Sequence, residues 1–155
     1  MDPASVLSVI SSCVALAIKT GTIAKDGYAL YSTLKDAPHN AHLLLIRVSA
    51  VGTAVKHISQ WFSNVPKSKI PEYAEVVEKL GFTLESCDIV LTKIGNSIAK
   101  IKQEKDNHVR DERGDSMIWK RRIAWWWNRD SIKEDDDSLA RHVEALQLLL
   151  QCLML

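Results

Sequence analysis

The sequence has little of what most other architectures require. Its 155 residues include 6 glycines and 4 prolines, too few for an all-β sandwich or a low-complexity tail. Basic and acidic side chains number 20 and 19, so no global field collects nucleic acid or acidic substrates. The cysteines, Cys13, Cys87 and Cys152, are odd in number and widely spaced, which favours a reducing, intracellular setting. With 46% apolar residues, we expect one globular domain over residues 1–155.

Apolar residues recur at alternating steps of three and four, the period of an amphipathic helix. Each such set of apolar residues forms one stripe along a helix. Pro38 suits the first turn of the first of these helices. Residues 63–68 disfavour helix and separate the first stripe from a second segment, which begins at Pro71. The stripe positions are Leu44, Val48, Val51, Val55, Ile58 and Phe62, then Val77, Leu80, Leu84, Cys87, Leu91, Ile94, Ile98 and Ile101, and finally Leu139, Val143, Leu146, Leu150 and Leu153. These stripes predict three long helices.

The first segment, residues 3–34, is predicted to be a helix with apolar residues most of the way around it. The residues of this broad apolar face are Val6, Leu7, Val9, Ile10, Cys13, Val14, Leu16 and Ile18. We expect such a helix to be surrounded on nearly all sides, in the middle of a bundle or in lipid. Asp2 is the only charge before it, which does not suit a secretory signal. Two hypotheses stay open: a permanently buried core helix, and a helix that leaves the bundle for a membrane.

The remaining segments complete the predicted fold. The polar run 102–115 is predicted to be an exposed connection, followed by a short aromatic segment over residues 117–127. Asp135, Asp136 and Asp137 precede the last stripe, and carboxylates near a helix N-terminus are favourable. We therefore expect this acidic run to open the last helix and not to bind a metal ion. The predicted fold is an all-α four-helix bundle of long antiparallel helices plus a short tryptophan-bearing helical segment.

Several residues resemble a known family. The opening Met1-Asp2-Pro3, the pair Leu30-Tyr31 and the run Leu34-Lys35-Asp36-Ala37-Pro38 are similar to the N-terminal domain of fungal NOD-like receptors and related signal-transducing NTPases. Near the other end, Leu139, His142 and residues 146–151 look like the end of the same domain. The resemblance covers nearly the whole chain and is closest to the Helo-like family, including the azaphilone cluster protein N-terminal domain type.

The resemblance implies a non-enzymatic signalling or cell-death effector domain. In typical members the bundle precedes a nucleotide-binding module, and some relatives oligomerise and permeabilise membranes through the N-terminal helix. The implied partners are a second copy of the chain, a helical signalling protein or an anionic membrane, and the implied location is the cytoplasm, with membrane association on activation. The alternative is a protein-protein interaction adaptor without membrane activity. The sequence contains no cofactor-binding motif, and we expect neither a cofactor nor a nucleic-acid partner.

Two further features are candidate contacts. Trp125, Trp126 and Trp127 lie beside Arg121 and Arg122, a combination that suits bundle packing with a peripheral contact, a membrane interface or stacking on single-stranded nucleic acid. Bundle packing with a peripheral contact is favoured, because three consecutive tryptophans point around a helix at intervals of about 100° and one or two of them should reach the bundle. The absence of a nucleic-acid-binding motif disfavours stacking on nucleic acid.

The run Cys152-Leu153-Met154-Leu155 fits a prenylation pattern, and the competing interpretation is that Leu153 continues the last stripe. His39 and His42 lack a further ligand pair for zinc, and no catalytic constellation is present, so we predict a non-enzyme.

Overall fold

The structure, a computed structural model, describes residues 3–32, 39–110 and 130–154. Helix α1 spans Pro3–Tyr31, α2 spans His39–Asn64, α3 spans Ala74–Arg110 and α4 spans Asp130–Met154. A 3₁₀ helix, Lys67–Tyr73, lies between α2 and α3. The described ranges contain no strand, and the predicted all-α helical bundle is confirmed.

The core consists of the predicted stripes. Every stripe position of α2 and α3 is buried, and Leu139, Leu146 and Leu153 of α4 are buried against them. Val143 and Leu150 are partly buried at the edge of the same core. The period of the apolar residues therefore predicted which side of these helices faces inward, because burial of that side is the main favourable term in folding.

Helix α1 packs against α2 and α3, and α4 packs against the same two helices, so α1 and α4 occupy opposite corners. Helices α1 and α2 are antiparallel, since Thr20 lies beside Gly52 while Gly27 lies beside Leu45. Helices α1 and α3 run in the same direction: Lys19 pairs with Asp88, and further along both helices Asp26 pairs with Lys102. The connection between α2 and α3 therefore links diagonal corners of the bundle.

That connection is held by aromatic contacts. Pro66 adopts an extended conformation after α2 and precedes the 3₁₀ helix, which agrees with the predicted break over residues 63–68. The Trp61 ring meets the Tyr73 ring edge-on at 4.8 Å and the Phe62 ring at 5.1 Å. Edge-to-face pairs at these distances are favourable, and they tie the end of the 3₁₀ helix to the last turns of α2.

The predicted exposed connection over 102–115 is wrong in its first part. Residues 102–110 continue α3 as regular helix, and residues 111–115 lie outside the described ranges. The run lacks an apolar stripe, but lysine, glutamine and glutamate all have high helix propensity. Lys102 also donates to Asp26 of α1 at 3.2 Å. The apolar stripe ends at Ile101 because α3 leaves the core there, while the helix itself continues to Arg110.

The prediction that the acidic run opens the last helix is also wrong. Helix α4 begins at Asp130, so Asp135, Asp136 and Asp137 lie in its second turn, where the effect of the helix terminus has faded. Asp136 instead forms an ion pair with Arg47 of α2. Burial raises the pKa of Asp135, and Lys93 opposes this shift. The run thus contributes a contact between helices.

Candidate functional site

The predicted membrane-active residues of α1 divide between two environments. Val6, Val9 and Leu16 are buried in the core, and Ile10 is partly buried against it. In contrast, Leu7, Val14 and Ile18 are 64%, 48% and 67% exposed. The prediction that α1 is surrounded on nearly all sides is therefore wrong. A helix at the corner of a four-helix bundle has neighbours around only part of its circumference, so the rest of its apolar surface faces outward.

The exposed residues Leu7, Val14 and Ile18 form one line, which we call the α1 apolar stripe. Their spacings of seven and four place them on the same side of the helix. The stripe borders a groove of about 440 Å³ between α1 and α2. Cys13 and Ala17 of α1 contribute to this groove, which is completed on the α2 side by Lys56, Ser59 and Gln60.

The flank of α1 that faces α3 carries hydroxyl groups beside the buried Val9 and Leu16. Ser8 and Ser12 line a groove of about 470 Å³ between the two helices. In the same groove the Lys19 ammonium group donates to the Asp88 carboxylate and, at 3.0 Å, to the Thr92 hydroxyl. Helix α1 therefore presents hydroxyl groups on one flank and apolar side chains on the other.

Close helix contacts determine the position of α1. A Cβ atom built on Gly52 of α2 would lie 2.6 Å from the Thr20 hydroxyl oxygen. Thr20 itself is buried and donates to the Ala17 carbonyl oxygen at 3.0 Å. A Cβ atom on Gly95 of α3 would lie 3.2 Å from the Ile23 side chain. Glycine thus lets α1 approach both of its neighbours, and a larger residue at Gly52 would collide with Thr20.

Two helices are long and apolar enough to cross a bilayer by length and composition alone. They are Val6–Tyr31, of which 33% of the most apolar window is buried, and His39–Asn64, of which 50% is buried. A core helix of a soluble bundle satisfies the same criterion. Length and composition therefore allow membrane association.

Further apolar residues face outward at positions that the stripes did not single out. Phe82 and Ile89 of α3 are 64% and 55% exposed. They are seven residues apart, and that spacing alone could have revealed them as a second line on the helix. Leu148 and Met154 of α4 are also exposed.

The cysteines supply a direct test of the packing. Burial raises the pKa of both the Cys13 and the Cys87 thiols to about 12, whereas Cys152 is exposed. Because the thiolate is the reactive form, we expect a thiol reagent at neutral pH to modify only Cys152 in the folded protein and all three cysteines in denaturant. Mass spectrometry of the labelled peptides measures this, and native labelling of Cys87 would contradict the described core.

The remaining candidate contacts are only partly described. Arg121, Arg122 and the three tryptophans, residues 125–127, lie outside the described ranges. Cys152 faces solvent in the last turn of α4 while Leu153 is buried, so Leu153 does continue the core stripe. Prenylation of Cys152 stays a prediction.

No metal-binding arrangement is found among the described residues. Within those ranges no group of three or more histidine, cysteine or acidic side chains is placed to hold a metal ion. His42 instead lies against Tyr31 and Tyr28, with ring centroids 5.7 and 6.5 Å away. No family model, curated protein or solved structure matches the chain.

Proposed function

We propose that the protein is a non-enzymatic effector bundle that acts at membranes through α1, as the resemblance to the Helo-like family implies. The observation that carries the proposal is the α1 apolar stripe, Leu7, Val14 and Ile18, which faces outward from the folded bundle. Apolar side chains exposed along one helix have a favourable destination at the boundary between headgroups and acyl chains. The proposed site of action is the cytoplasmic face of a membrane, with self-association once α1 is bound.

The stripe changes the order of events expected from sequence. A fully surrounded helix would have to leave the bundle before it met lipid, whereas Leu7 and Ile18 are accessible without any rearrangement. We therefore place docking of the folded bundle first and any release of α1 second.

Release of α1 from the bundle would expose its buried apolar residues, such as Val9 and Leu16. The flank that carries Ser8 and Ser12 would then face other copies of α1 in an assembly. The two ion pairs that join α1 to α3, Lys19 with Asp88 and Asp26 with Lys102, lie at least partly in solvent, where such pairs contribute about 0–1 kcal/mol each. The main barrier to release is thus the burial of the apolar residues and not these charges. In an assembly the flank that carries Ser8 and Ser12 would line a polar interior, with the apolar residues toward lipid.

Vesicle binding tests the proposal. Replacing Leu7 and Ile18 together with serine is expected to lower the vesicle partition coefficient roughly a hundredfold, because two large apolar side chains no longer enter the lipid. The measurements are flotation with vesicles and leakage of an enclosed dye. The matched control replaces Phe82 and Ile89 with serine, two equally exposed apolar residues on α3, and is expected to bind as the wild type does.

Each outcome decides a specific point. Equal binding of the wild type and the Leu7→Ser, Ile18→Ser variant, or no binding by either, would contradict the membrane proposal. Thiol labelling then distinguishes docking from release. Cys13 lies on the inner side of α1 and Cys87 on the inner side of α3, so labelling of Cys13 but not Cys87 on vesicles would mean that α1 has left the bundle.

A protein-protein adaptor is the second candidate function. The observation that favours it is the exposed pair Phe82 and Ile89 on α3, since apolar residues on an outer helix face are typical of contacts between helical proteins. Light scattering without vesicles distinguishes the two functions. An adaptor is expected to self-associate in solution and to lose this property in the Phe82→Ser, Ile89→Ser variant. The tryptophan and arginine cluster over 121–127 is a further proposed contact for either function.

A further inference from the structure

Charge is distributed unevenly between the two halves of the bundle. Helix α2 contains no aspartate or glutamate, and α1 contains only Asp26, which is paired with Lys102 of α3. Helix α4, at the opposite corner, carries six acidic residues against two basic ones, namely Asp130, Glu134, Asp135, Asp136, Asp137 and Glu144 against Lys133 and Arg141. The surface of α1 and α2 therefore lacks the carboxylates that would repel an anion.

Two lysines lie on this surface beside the α1 apolar stripe. Lys25 is exposed and follows Ile18 by seven residues, so it continues the line of the stripe along α1. Lys56 of α2 is exposed and lines the same groove as Val14 and Ile18. Within the part of the chain that the structure describes, neither lysine has a carboxylate within ion-pair distance. Among the described residues, therefore, no carboxylate competes with an external partner for either charge.

We propose that the outer face of α1 and α2 is a docking surface for an anionic lipid bilayer, with Leu7, Val14 and Ile18 entering the interface and Lys25 and Lys56 contacting the phosphate groups. This inference rests on the proposed function and adds to it the residues that recognise the anionic headgroups, the contribution of α2 and the orientation of the bundle. The charge pattern supports a membrane as the occupant, because apolar residues flanked by long basic side chains match the interface between acyl chains and anionic headgroups.

The same pattern determines which side of the protein meets the membrane. A negatively charged leaflet attracts Lys25 and Lys56 and repels the acidic α4 at the opposite corner. The groove between α1 and α2 adds the polar side chains of Ser59 and Gln60 beside Lys56, which can donate hydrogen bonds to phosphate oxygens. Helices α1 and α2 therefore lie along the membrane plane in the docked state, with α3 and α4 on the side of the bundle away from the surface.

Substitution of the two lysines tests this docking surface. The Lys25→Gln, Lys56→Gln variant is expected to bind vesicles of phosphatidylcholine and phosphatidylserine about thirtyfold more weakly, the effect of two basic residues at an anionic surface. Its binding to pure phosphatidylcholine is expected to stay unchanged. The matched control, Lys69→Gln with Lys100→Gln, removes the same charge from exposed positions on the 3₁₀ helix and α3 and is expected to retain wild-type binding.

The outcomes separate this inference from the proposed function. Weaker binding by the Lys25→Gln, Lys56→Gln variant alone supports the docking surface. Equal loss in both lysine variants would mean that net charge and not this face governs binding. If Leu7→Ser, Ile18→Ser abolishes binding but the wild type binds both kinds of vesicle equally, the proposed function stands and the anionic docking surface is overturned. If the wild type binds no vesicle, both fail.

A fluorescent label measures the orientation independently of affinity. In a Cys152→Ser background, a polarity-sensitive dye on Gln60→Cys is expected to shift to shorter wavelength on anionic vesicles. The same dye on Glu78→Cys, an exposed position on α3, is expected to emit at the same wavelength with vesicles as in buffer alone. Equal shifts at both positions, or a shift only at residue 78, would overturn the proposed orientation.

Discussion

Replacing Leu91 with alanine is expected to lower the free energy of unfolding by about 2–5 kcal/mol. Leu91 is completely buried in the middle of the α3 stripe, and α3 contacts both α1 and α4. Truncation removes apolar contacts and leaves a cavity that a packed helical core fills only in part. Denaturant unfolding followed by circular dichroism measures the change.

The control lies two residues away on the same helix. Ile89 is 55% exposed, so Ile89→Ala is expected to change the free energy of unfolding by less than about 0.5 kcal/mol. The two substitutions remove similar side chains from one helix, and their difference isolates burial from helix propensity. Equal effects would contradict the orientation of α3.

Replacing Gly52 with valine is expected to lower the free energy of unfolding by about 1–3 kcal/mol, the usual cost of overpacking. A Cβ atom at this position would lie 2.6 Å from the hydroxyl oxygen of Thr20 and 3.4 Å from its Cβ atom. Thr20 is buried and its hydroxyl group donates to the Ala17 carbonyl oxygen, so the contact is relieved either by rotating the Thr20 side chain, which breaks that hydrogen bond, or by moving α1. Thermal and denaturant unfolding measure the loss.

Two variants make this prediction specific to the contact between α1 and α2. Gly21 of α1 has open space around the position of a Cβ atom, so Gly21→Val is expected to have little effect on stability. Adding Thr20→Ala to Gly52→Val removes the colliding hydroxyl group and is expected to recover part of the lost stability, with a coupling of about 0.5–3 kcal/mol. Strict additivity of the two substitutions would show that the helices do not meet there.

The fold prediction succeeded where burial follows a local period. The α2 and α3 stripes contain every third or fourth residue, and a helix has only one side that can bury such a set. The incorrect predictions concern segments in which no apolar period indicates where a helix begins or ends. The polar run after Ile101 has no stripe, yet it is helical through Arg110, because propensity continues a helix beyond the edge of the core. The acidic run of α4 was placed at a helix terminus, but Asp136 pairs with Arg47 on another helix.

The candidate site was predicted only in part, and α1 explains why. Its apolar residues extend most of the way around the cylinder, so the sequence contains no unique buried side. Cys13 and Leu16 are buried while Val14 and Ile18 are exposed, a division that depends on which neighbours surround the helix. Lys56 belongs to another helix, and its position beside the α1 apolar stripe depends on the contact between α1 and α2.

The local apolar pattern predicts that the chain forms long helices and which sides of α2, α3 and α4 are buried, because these properties depend on residues three and four positions apart. Helix packing, which no local pattern specifies, places α1 at a corner, makes α1 and α3 parallel, and brings apolar and basic residues onto one outer face. Those properties arise from close contacts between distant residues, such as Thr20 with Gly52 and Lys19 with Asp88. Local periodicity specifies which side of a helix is buried and leaves open which helix covers it.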